Sequence, residues 1–152
     1  MGRSTTVPLD RGGVASVEDA LAVVRANGGR VTTSRRLVLE ALFSSAEHLS
    51  AEEVAHAVQV RAPDVHLSTV YRNLEDLQRL GVLVHTHVGH GPVTYQVASS
   101  AHAHLVCEGC GRTFEAPDTL FRGLAHQVKA ELGFVLDPHH VAMVGRCADC
   151  AP

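Results

Sequence analysis

Apolar residues recur at intervals of three and four through the first half of the chain, a spacing typical of amphipathic helices. Capping and stop signals predict where each helix begins and ends. The first helix begins at Ser16 and stops at Asn27-Gly28-Gly29, and the second begins at Thr33 or Ser34. A capping box from Ser50 to Glu53 begins the third helix, and the fourth covers residues 67–80. Two strand-like runs follow, at 82–88 and 93–97, with glycines between them that suit a hairpin turn. Short helices followed by a two-stranded hairpin predict a winged helix-turn-helix domain.

In such a domain, the helix at 67–80 enters the major groove of DNA. Its apolar stripe leaves a set of residues that we expect to face outward: Ser68, Thr69, Arg72, Asn73, Asp76 and Arg79, with Tyr71 beside the stripe. Small polar groups, an aromatic ring and an arginine together suit phosphates and base edges. The competing interpretation is a solvated helix face with Tyr71 in the core.

The second half of the chain predicts a smaller unit. A strand-like run at 112–115 precedes a helix that opens at Pro117-Asp118 and ends at Gly133, and an alternating stretch follows. A unit of a few strands and one helix is too small to bury both faces of its sheet, so we expect it to dimerise. The expected fold is therefore mixed α/β, divided into a flexible arm (1–15), a winged-helix domain (16–98) and a dimerisation and metal-binding domain (99–152), with a hinge at about 96–104.

Composition limits the functions that this fold can serve. The 152 residues carry a net charge of −3, which is not typical of a nonspecific nucleic-acid binder, so a local arginine patch must bind any DNA. No run of about 18 apolar residues predicts a membrane span, and the N-terminal residues do not resemble a secretion signal. We therefore expect a cytoplasmic protein whose cysteines bind metal in preference to forming disulfides.

The four cysteines form two pairs at metal-ligand spacing, Cys107-x-x-Cys110 and Cys147-x-x-Cys150. Four thiolates complete a tetrahedral shell around zinc and leave no open position, which predicts a structural site. Such a site would clamp the end of the chain onto the start of the second domain. The alternative is two disulfides or four unrelated thiols.

Two His-x-His pairs lie in strand-like segments, where residues i and i+2 project from the same face. We expect His85 and His87 to join a histidine of the His139-His140 pair. The second grouping is His102 and His104 with Glu115 and His48. These nitrogen-rich sets suit zinc, nickel, cobalt or ferrous iron, and the lone carboxylate shifts the second set slightly towards iron or manganese. We interpret the remaining histidines as solvated (His56, His66, His126) or leave their role open (His90).

With these elements in place, the chain resembles the ferric uptake regulator (Fur) family of metal-dependent repressors from about residue 17 to residue 150. The segments that carry the likeness are RVTTSRR at 30–36, STVYRNL at 68–74, HAHLVCEGC at 102–110 and CADC at 147–150. The resemblance implies a homodimer that binds a palindromic operator when a regulatory metal is bound, and structural zinc at the cysteines. The residues expected on the DNA are Arg35, Arg36, Ser68, Thr69, Tyr71 and Arg72.

Within the family, HTHVGHGPVTY is most similar to the nickel-responsive Nur branch. That likeness implies one nickel site at His85, His87 and His140, and a second site at His48, His102 and His104. The histidine that completes the second site in Nur falls on Ser100 here, and the iron-type site has an acidic residue at the position of Gln96. Glu115 matches the family's other carboxylate ligand and is expected to supply the missing ligand. Nickel is thus the favoured regulatory metal, with zinc or iron as alternatives.

The expected function is a repressor of metal homeostasis genes, not an enzyme. One rival is a peroxide sensor of the same fold, which would oxidise a histidine at bound iron. That reading favours acidic ligands, which Gln96 and Ala103 do not provide. A zinc-dependent hydrolase is a second rival, but no HExxH-type motif supplies its general base. A third is an adaptor that uses metal only for stability.

Overall fold

A computed structural model of the chain describes residues 14–87, 92–100, 102–117, 119–136 and 142–151. Within these ranges it contains five α-helices and two three-stranded sheets, which confirms the expected mixed α/β class. The helices are α1 (Val17–Ala26), α2 (Thr33–Ser44), α3 (Ala51–Arg61), α4 (Leu67–Arg79) and α5 (Thr119–Leu132). The strands are β1 (Leu49–Ser50), β2 (Leu83–His87), β3 (Val93–Val97), β4 (Ala103–Cys107), β5 (Thr113–Ala116) and β6 (Ala142–Gly145). Over the described ranges, no helix has the length and apolar character needed to cross a membrane.

Side-chain caps define where the first three helices begin. Ser16 caps α1, and Ser50 and Glu53 form the reciprocal capping box that the sequence predicts for α3. The cap of α2 is Thr32, whose hydroxyl accepts a hydrogen bond from the backbone N–H of Arg35 at 3.2 Å. The predicted caps, Thr33 and Ser34, are therefore wrong by one or two positions. Three consecutive Ser/Thr residues offer the same chemistry, and only the backbone geometry selects among them.

The helices α1 to α4 and the first sheet enclose one hydrophobic core. Its fully buried members come from each of the four helices and from the residues that enter β2: Leu21, Val24, Val38, Leu39, Val54, Val58, Val70, Leu74, Leu77, Val82 and Leu83. The apolar stripe predicted for α4 thus faces inward as expected. Asn73, which we expected to face outward, is only 6% exposed. Its amide is held between Thr69 and Arg35, so hydrogen bonds offset the cost of burying it.

The first sheet has the order β1-β3-β2 and includes the predicted wing hairpin. In that hairpin, β2 and β3 pair antiparallel, with His85 opposite Tyr95. The short strand β1 was not predicted from the sequence, and it places Leu49 on the other side of Tyr95. Because β1 is hydrogen-bonded into the sheet, the preceding residue, His48, is fixed beside it.

The second sheet has the order β5-β4-β6, with β4 antiparallel to β5 and parallel to β6. Its core is small, formed by Ala103, Ala116 and Phe121 with Leu105 packed against them. All four residues of β6 are exposed. Several large apolar side chains of this half are also exposed: Leu120, Leu132, Phe134, Val135, Met143 and Val144. This half therefore has an apolar surface that the described residues do not cover.

The predicted arm falls largely outside the described residues, which begin at Val14. Val14 packs against the first core, and its carbonyl oxygen accepts a hydrogen bond from the hydroxyl of Ser99 at 2.6 Å. A short 3₁₀ turn at Ala98–Ser100 connects β3 to the segment before β4. The domain boundary expected at 98/99 stays a prediction.

Candidate metal centre and nucleic-acid interface

Three histidines from two separate segments meet in one cluster. His48 directly precedes β1, His102 directly precedes β4, and His104 is the second residue of β4. The three side chains each offer a ring nitrogen, and these nitrogens lie within 4.8 Å of one another. The ring centroids are 4.7 Å apart for His102 and His104 and 5.2 Å apart for His48 and His102. One divalent ion can reach all three rings from this arrangement.

The hydrogen bonding of the cluster leaves nitrogen atoms for a metal. His104 is only 3% exposed, and neither of its ring nitrogens has a hydrogen-bond partner among the described residues. Buried polar atoms are otherwise nearly always paired, because burying them alone costs free energy. A metal ion at this position would supply the missing partner, so the donor set fits a metal centre.

His102 gives a second indication of a cation. Its Nδ1 lies 2.9 Å from the carbonyl oxygen of Ser100, which can only accept, so Nδ1 carries the proton. The other nitrogen, Nε2, lies 3.3 Å from a carboxylate oxygen of Glu115. In the neutral ring, Nε2 has a lone pair that would repel this carboxylate. A proton or a metal cation on Nε2 relieves that repulsion.

Burial keeps two of these imidazoles in the neutral form that binds metal. Desolvation, followed by the neighbouring rings of His48 and His102, lowers the pKa of His104 to about 4. Desolvation and His102 also lower the pKa of His48, while Glu115 and a hydrogen bond with Gln96 act in the opposite direction. Both residues are therefore uncharged near pH 7, as metal ligation requires.

The structure brings together all four residues of the second predicted site, including Glu115, which is opposite His104 across the β4–β5 ladder. Gln96 is 6% exposed, and no described residue pairs with its Nε2. Ser100 is instead bonded through its hydroxyl to the carbonyl oxygen of Val97 at 2.9 Å. The side chain of Gln96 forms a hydrogen bond with His48 and so borders the cluster. It is a neutral amide at a position where a carboxylate would add negative charge.

The first predicted histidine site lies partly outside the described residues. His85 is half-buried on β2, and the backbone of His87 pairs with Val93 at the end of the same strand. His139 and His140, the expected third ligand, belong to the segment 137–141, which the structure does not describe. This ligand set stays a prediction.

The four cysteines converge at the edge of the second sheet, and their sulfur atoms lie within 4.8 Å of one another. The Sγ atoms of Cys110 and Cys147 are 3.8 Å apart. Zinc–sulfur bonds of about 2.3 Å in a tetrahedron put neighbouring sulfurs about 3.8 Å apart, so the separation matches a zinc site. All four cysteines are free thiols in the structure, and their donor set fits zinc.

Close backbone packing and hydrogen bonds shape this cysteine site. A Cβ atom added at Gly109 would lie 2.9 Å from the Cβ of Cys150, so position 109 has no room for a side chain. The backbone N–H of Cys147 donates to Cys107 Sγ at 3.3 Å and is the main cause of the lowered pKa of that thiol. A hydrogen bond from Arg112 is the main cause of the lowered pKa of Cys110. Both effects favour the thiolate form that binds zinc.

The start of α4 presents the polar surface expected for DNA contact. Ser68, Tyr71 and Arg72 are exposed and Thr69 is half-buried. The hydroxyl of Tyr71 donates to a carboxylate oxygen of Glu52, in α3, at 2.8 Å, which orients the ring on the surface. These four residues therefore share an accessible face of one helix.

The two arginines of α2 have different surroundings. The Arg35 guanidinium is 12% exposed and donates to Asn73 at 2.9 Å, to the Arg30 carbonyl oxygen at 3.0 Å and to Asp76 at 2.7 Å. The N–H groups of the Arg35 guanidinium therefore hold α4 against α2. Arg36, which we also expected on DNA, forms an ion pair with Glu18 and is more exposed.

Sequence reasoning did not predict the hydrogen bonds of Arg35 to α4 or of Arg112 to two cysteines. The first could have been suspected from polar residues at i and i+3 of α4, Asn73 and Asp76, on the side of the helix next to its apolar stripe. The second had no sequence signal beyond an arginine close to a CxxC pair.

Comparisons with known proteins agree with this architecture. The profile of the ferric uptake regulator family matches residues 26–144. The ferric uptake regulation protein of Bordetella parapertussis is 32% identical over 127 residues, which cover 82% of this chain and 91% of that protein. The peroxide operon regulator of Bacillus subtilis is 28% identical over 138 residues, covering 89% of this chain and 93% of that protein. The solved structure of the Helicobacter pylori ferric uptake regulator matches with a TM-score of 0.70 and 25% identity, covering 89% of this chain and 93% of that one.

Proposed function

The chain belongs to the ferric uptake regulator family, and on this premise we propose that it is a DNA-binding transcriptional repressor controlled by a divalent metal, with nickel favoured. Members of the family are transcription regulators, not enzymes, and they act as dimers on operator DNA. The Helicobacter pylori relative is described as having three functional metal binding sites. The proposed setting is the cytoplasm, since a DNA-binding regulator acts where the DNA is.

The single observation that carries the proposal is the buried imidazole of His104, whose two nitrogens have no hydrogen-bond partner among the described residues. Its neighbours in the cluster come from both halves of the fold, because His48 precedes β1 of the wing sheet and His102 directly precedes β4. A divalent cation bound here would link these ligands and add positive charge. Through such a shared ligand, His48 and His104 would couple the position of the wing sheet to that of the second sheet.

The ligand chemistry fits nickel, zinc and ferrous iron, and we favour nickel because HTHVGHGPVTY is most similar to the Nur branch. Three imidazoles and one carboxylate form a nitrogen-rich set. Such a set suits nickel, zinc and ferrous iron better than manganese, because manganese prefers oxygen ligands. Gln96 adds no negative charge beside His48. We include His85, His87 and His140 as a second regulatory site and the four cysteines as the structural zinc site.

DNA recognition in this proposal uses the start of α4. Ser68, Thr69, Tyr71 and Arg72 contact phosphates and base edges, and Arg36 contacts the backbone once it leaves Glu18. We assign Arg35 to the support of α4, because its guanidinium already donates to Asn73 and Asp76.

Dimerisation supplies the second recognition helix. The exposed apolar side chains of the second half, including Leu132, Phe134 and Val144, form a surface that a second copy would cover. A twofold dimer presents two copies of α4 to half-sites about one DNA turn apart, which implies a palindromic operator.

The test is a selection from a random duplex DNA pool, using the full chain with its cysteines loaded with zinc. Parallel arms contain added nickel, zinc, ferrous iron without oxygen, manganese, or a chelator too weak to remove the structural zinc. We expect a palindromic sequence to be enriched with nickel at the lowest free metal concentration, and no enrichment with the chelator. Equal enrichment with and without metal would contradict regulation by metal, and enrichment only with another metal would contradict nickel.

A peroxide sensor is the second candidate, because curated relatives from Bacillus subtilis and Staphylococcus saprophyticus are described as peroxide regulators at 28% and 25% identity. In that function, iron at the cluster would direct oxidation of His102 or His104. Mass spectrometry of the iron-loaded chain after hydrogen peroxide distinguishes the two. A gain of one oxygen atom on either histidine, with loss of DNA binding, would favour the peroxide sensor, whereas unmodified histidines favour the metal sensor.

A further inference from the structure

Two arginines connect the cysteine pairs through reciprocal ion pairs. Arg112, just after the first pair, bonds to Asp149 inside the second pair. Arg146, just before the second pair, donates to Glu108 inside the first pair at 3.0 Å. The two arginine side chains are almost equally exposed, at 54% and 56%. They are therefore closely matched in charge, partner type and solvent access.

The two arginines differ in their contact with sulfur. Arg112 Nε lies 3.4 Å from Cys110 Sγ, and Arg112 Nη2 lies 3.5 Å from Cys147 Sγ. One guanidinium thus donates to one sulfur of each cysteine pair. In the part of the chain that the structure describes, Arg146 donates a hydrogen bond to Glu108 and none to a cysteine sulfur.

The Arg112 guanidinium is held in place from two further directions. Asp149 fixes one edge, and the ring of Phe114 lies below it, with the Arg112 Cζ atom 5.7 Å from the ring centroid. The planar guanidinium presents several N–H groups at fixed angles, so one side chain can serve Asp149 and two sulfurs together. A lysine ammonium, which is a point charge on a flexible stem, cannot reproduce this arrangement.

Hydrogen bonds from a cation draw electron density from a thiolate, and such outer contacts tune metal-bound ligands. We propose that Arg112 is a positioning residue that protects the metal-bound sulfurs of Cys110 and Cys147 from attack by electrophiles and so slows loss of the metal. The inference rests on the proposal that the four cysteines bind zinc. It concerns the chemical resistance of that site and is independent of the regulatory metal.

Cys107 and Cys150 serve as internal controls for this proposal. Cys107 Sγ accepts from the backbone N–H of Cys147, which a change at position 112 leaves in place. Among the described residues, the sulfurs that accept hydrogen bonds from Arg112 are those of Cys110 and Cys147, and Cys150 is not one of them. Removing the guanidinium should therefore expose two sulfurs of one site to attack and leave the other two as they were.

The experiment compares wild type with Arg112→Met, Arg112→Lys and Arg146→Met in the full chain. Zinc content is measured first by elemental analysis. Each zinc-loaded protein is then treated with iodoacetamide, in which a sulfur bonds to the methylene carbon as the carbon–iodine bond breaks and iodide leaves. Peptide mass spectrometry gives the alkylation rate of each cysteine, and a colorimetric chelator follows zinc release.

We expect Arg112→Met to raise the alkylation rates of Cys110 and Cys147 relative to Cys107 and Cys150 by about tenfold, with faster zinc release. Arg112→Lys should give a smaller rise, and Arg146→Met should leave the ratios unchanged. Unchanged ratios in Arg112→Met, or an equal rise at all four cysteines, would overturn the inference. If Arg112→Met does not bind zinc, unchanged ratios in Arg112→Lys overturn it. A wild-type chain without bound zinc would instead refute the zinc proposal itself.

Discussion

The imidazole rings of His48 and His104 lie 4.7 Å apart, centroid to centroid, and meet at 83°. His48 is held by the short strand β1, which pairs with β3 of the wing sheet, and His104 belongs to β4 of the second sheet. The contact therefore joins the sheet that carries the wing to the sheet that carries the cysteines. Any ligand shared by these two rings couples the positions of the two sheets.

Replacing His48 with alanine should lower the affinity of the cluster for nickel or zinc by about a hundredfold or more, because one of three imidazole ligands is removed. Isothermal titration of the chain with its cysteines already loaded measures this affinity directly. His126→Ala is the matched control, since His126 is exposed on α5. An unchanged affinity in His48→Ala would remove His48 from the metal site.

Replacing Gly109 with alanine should strongly reduce zinc binding at the cysteines. The new methyl group would lie 2.9 Å from the Cβ of Cys150 and 3.1 Å from its sulfur, so the two cysteine pairs must separate to accommodate it. Zinc retention against a graded series of chelators is the measurement. Gly145→Ala is the control, because a Cβ at Gly145 meets no atom of the described residues within 4 Å. Equal retention in both variants would contradict the close packing.

The sequence was sufficient for features that depend on local spacing. Two CxxC pairs indicate a metal site wherever the chain places them, and alternation along a strand indicates that His102 and His104 share a face. The stripe of α4 and the capping box at Ser50 likewise depend on residues within one or two turns. These patterns predicted the five helices, the wing hairpin and the shared face of His102 and His104.

Features that depend on contacts between distant segments were not predictable in this way. The pairing of Leu49 with Tyr95 creates β1, and a two-residue strand has no periodicity to detect. Asn73 is polar and lies outside the apolar stripe, yet Arg35 gives it a buried partner. Its burial follows from the position of α2 against α4, which no local pattern specifies.

Replacing Arg35 with methionine should destabilise the helical half of the chain by about 2–3 kcal/mol. The change removes hydrogen bonds to Asn73, Asp76 and the Arg30 carbonyl oxygen, and it leaves a half-buried carboxylate without its main cation. Urea unfolding followed by far-ultraviolet circular dichroism gives the free energy of unfolding. In a double-mutant cycle with Asp76→Asn, the two effects should be clearly less than additive.

Arg36→Met is the comparison for this prediction. Its ion pair with Glu18 is more exposed on both sides, so its loss should change the free energy of unfolding much less than the loss of Arg35 does. If both variants had the same small effect on unfolding and Arg35→Met alone abolished DNA binding, the assignment of Arg35 to the support of α4 would be wrong.

The metal-free chain should lose stability as the pH falls from about 6.5 towards 4. Burial lowers the pKa of His104 from 6.5 to about 4, and His48 shifts in the same direction. Between these values the unfolded chain binds a proton that the folded chain does not, so the free energy of unfolding decreases as the pH decreases. Below about pH 4 both states are protonated, and this contribution no longer changes.

His104→Gln removes the titrating group and should flatten the pH dependence between about pH 7 and pH 5 relative to wild type. Urea unfolding of chelator-treated protein at several pH values measures the slope, and the difference between the two proteins cancels the titration of other groups. His66→Gln is the control, since His66 is exposed and should leave the slope unchanged. A slope in His104→Gln equal to that of wild type would show that His104 is not held in the neutral form by the fold.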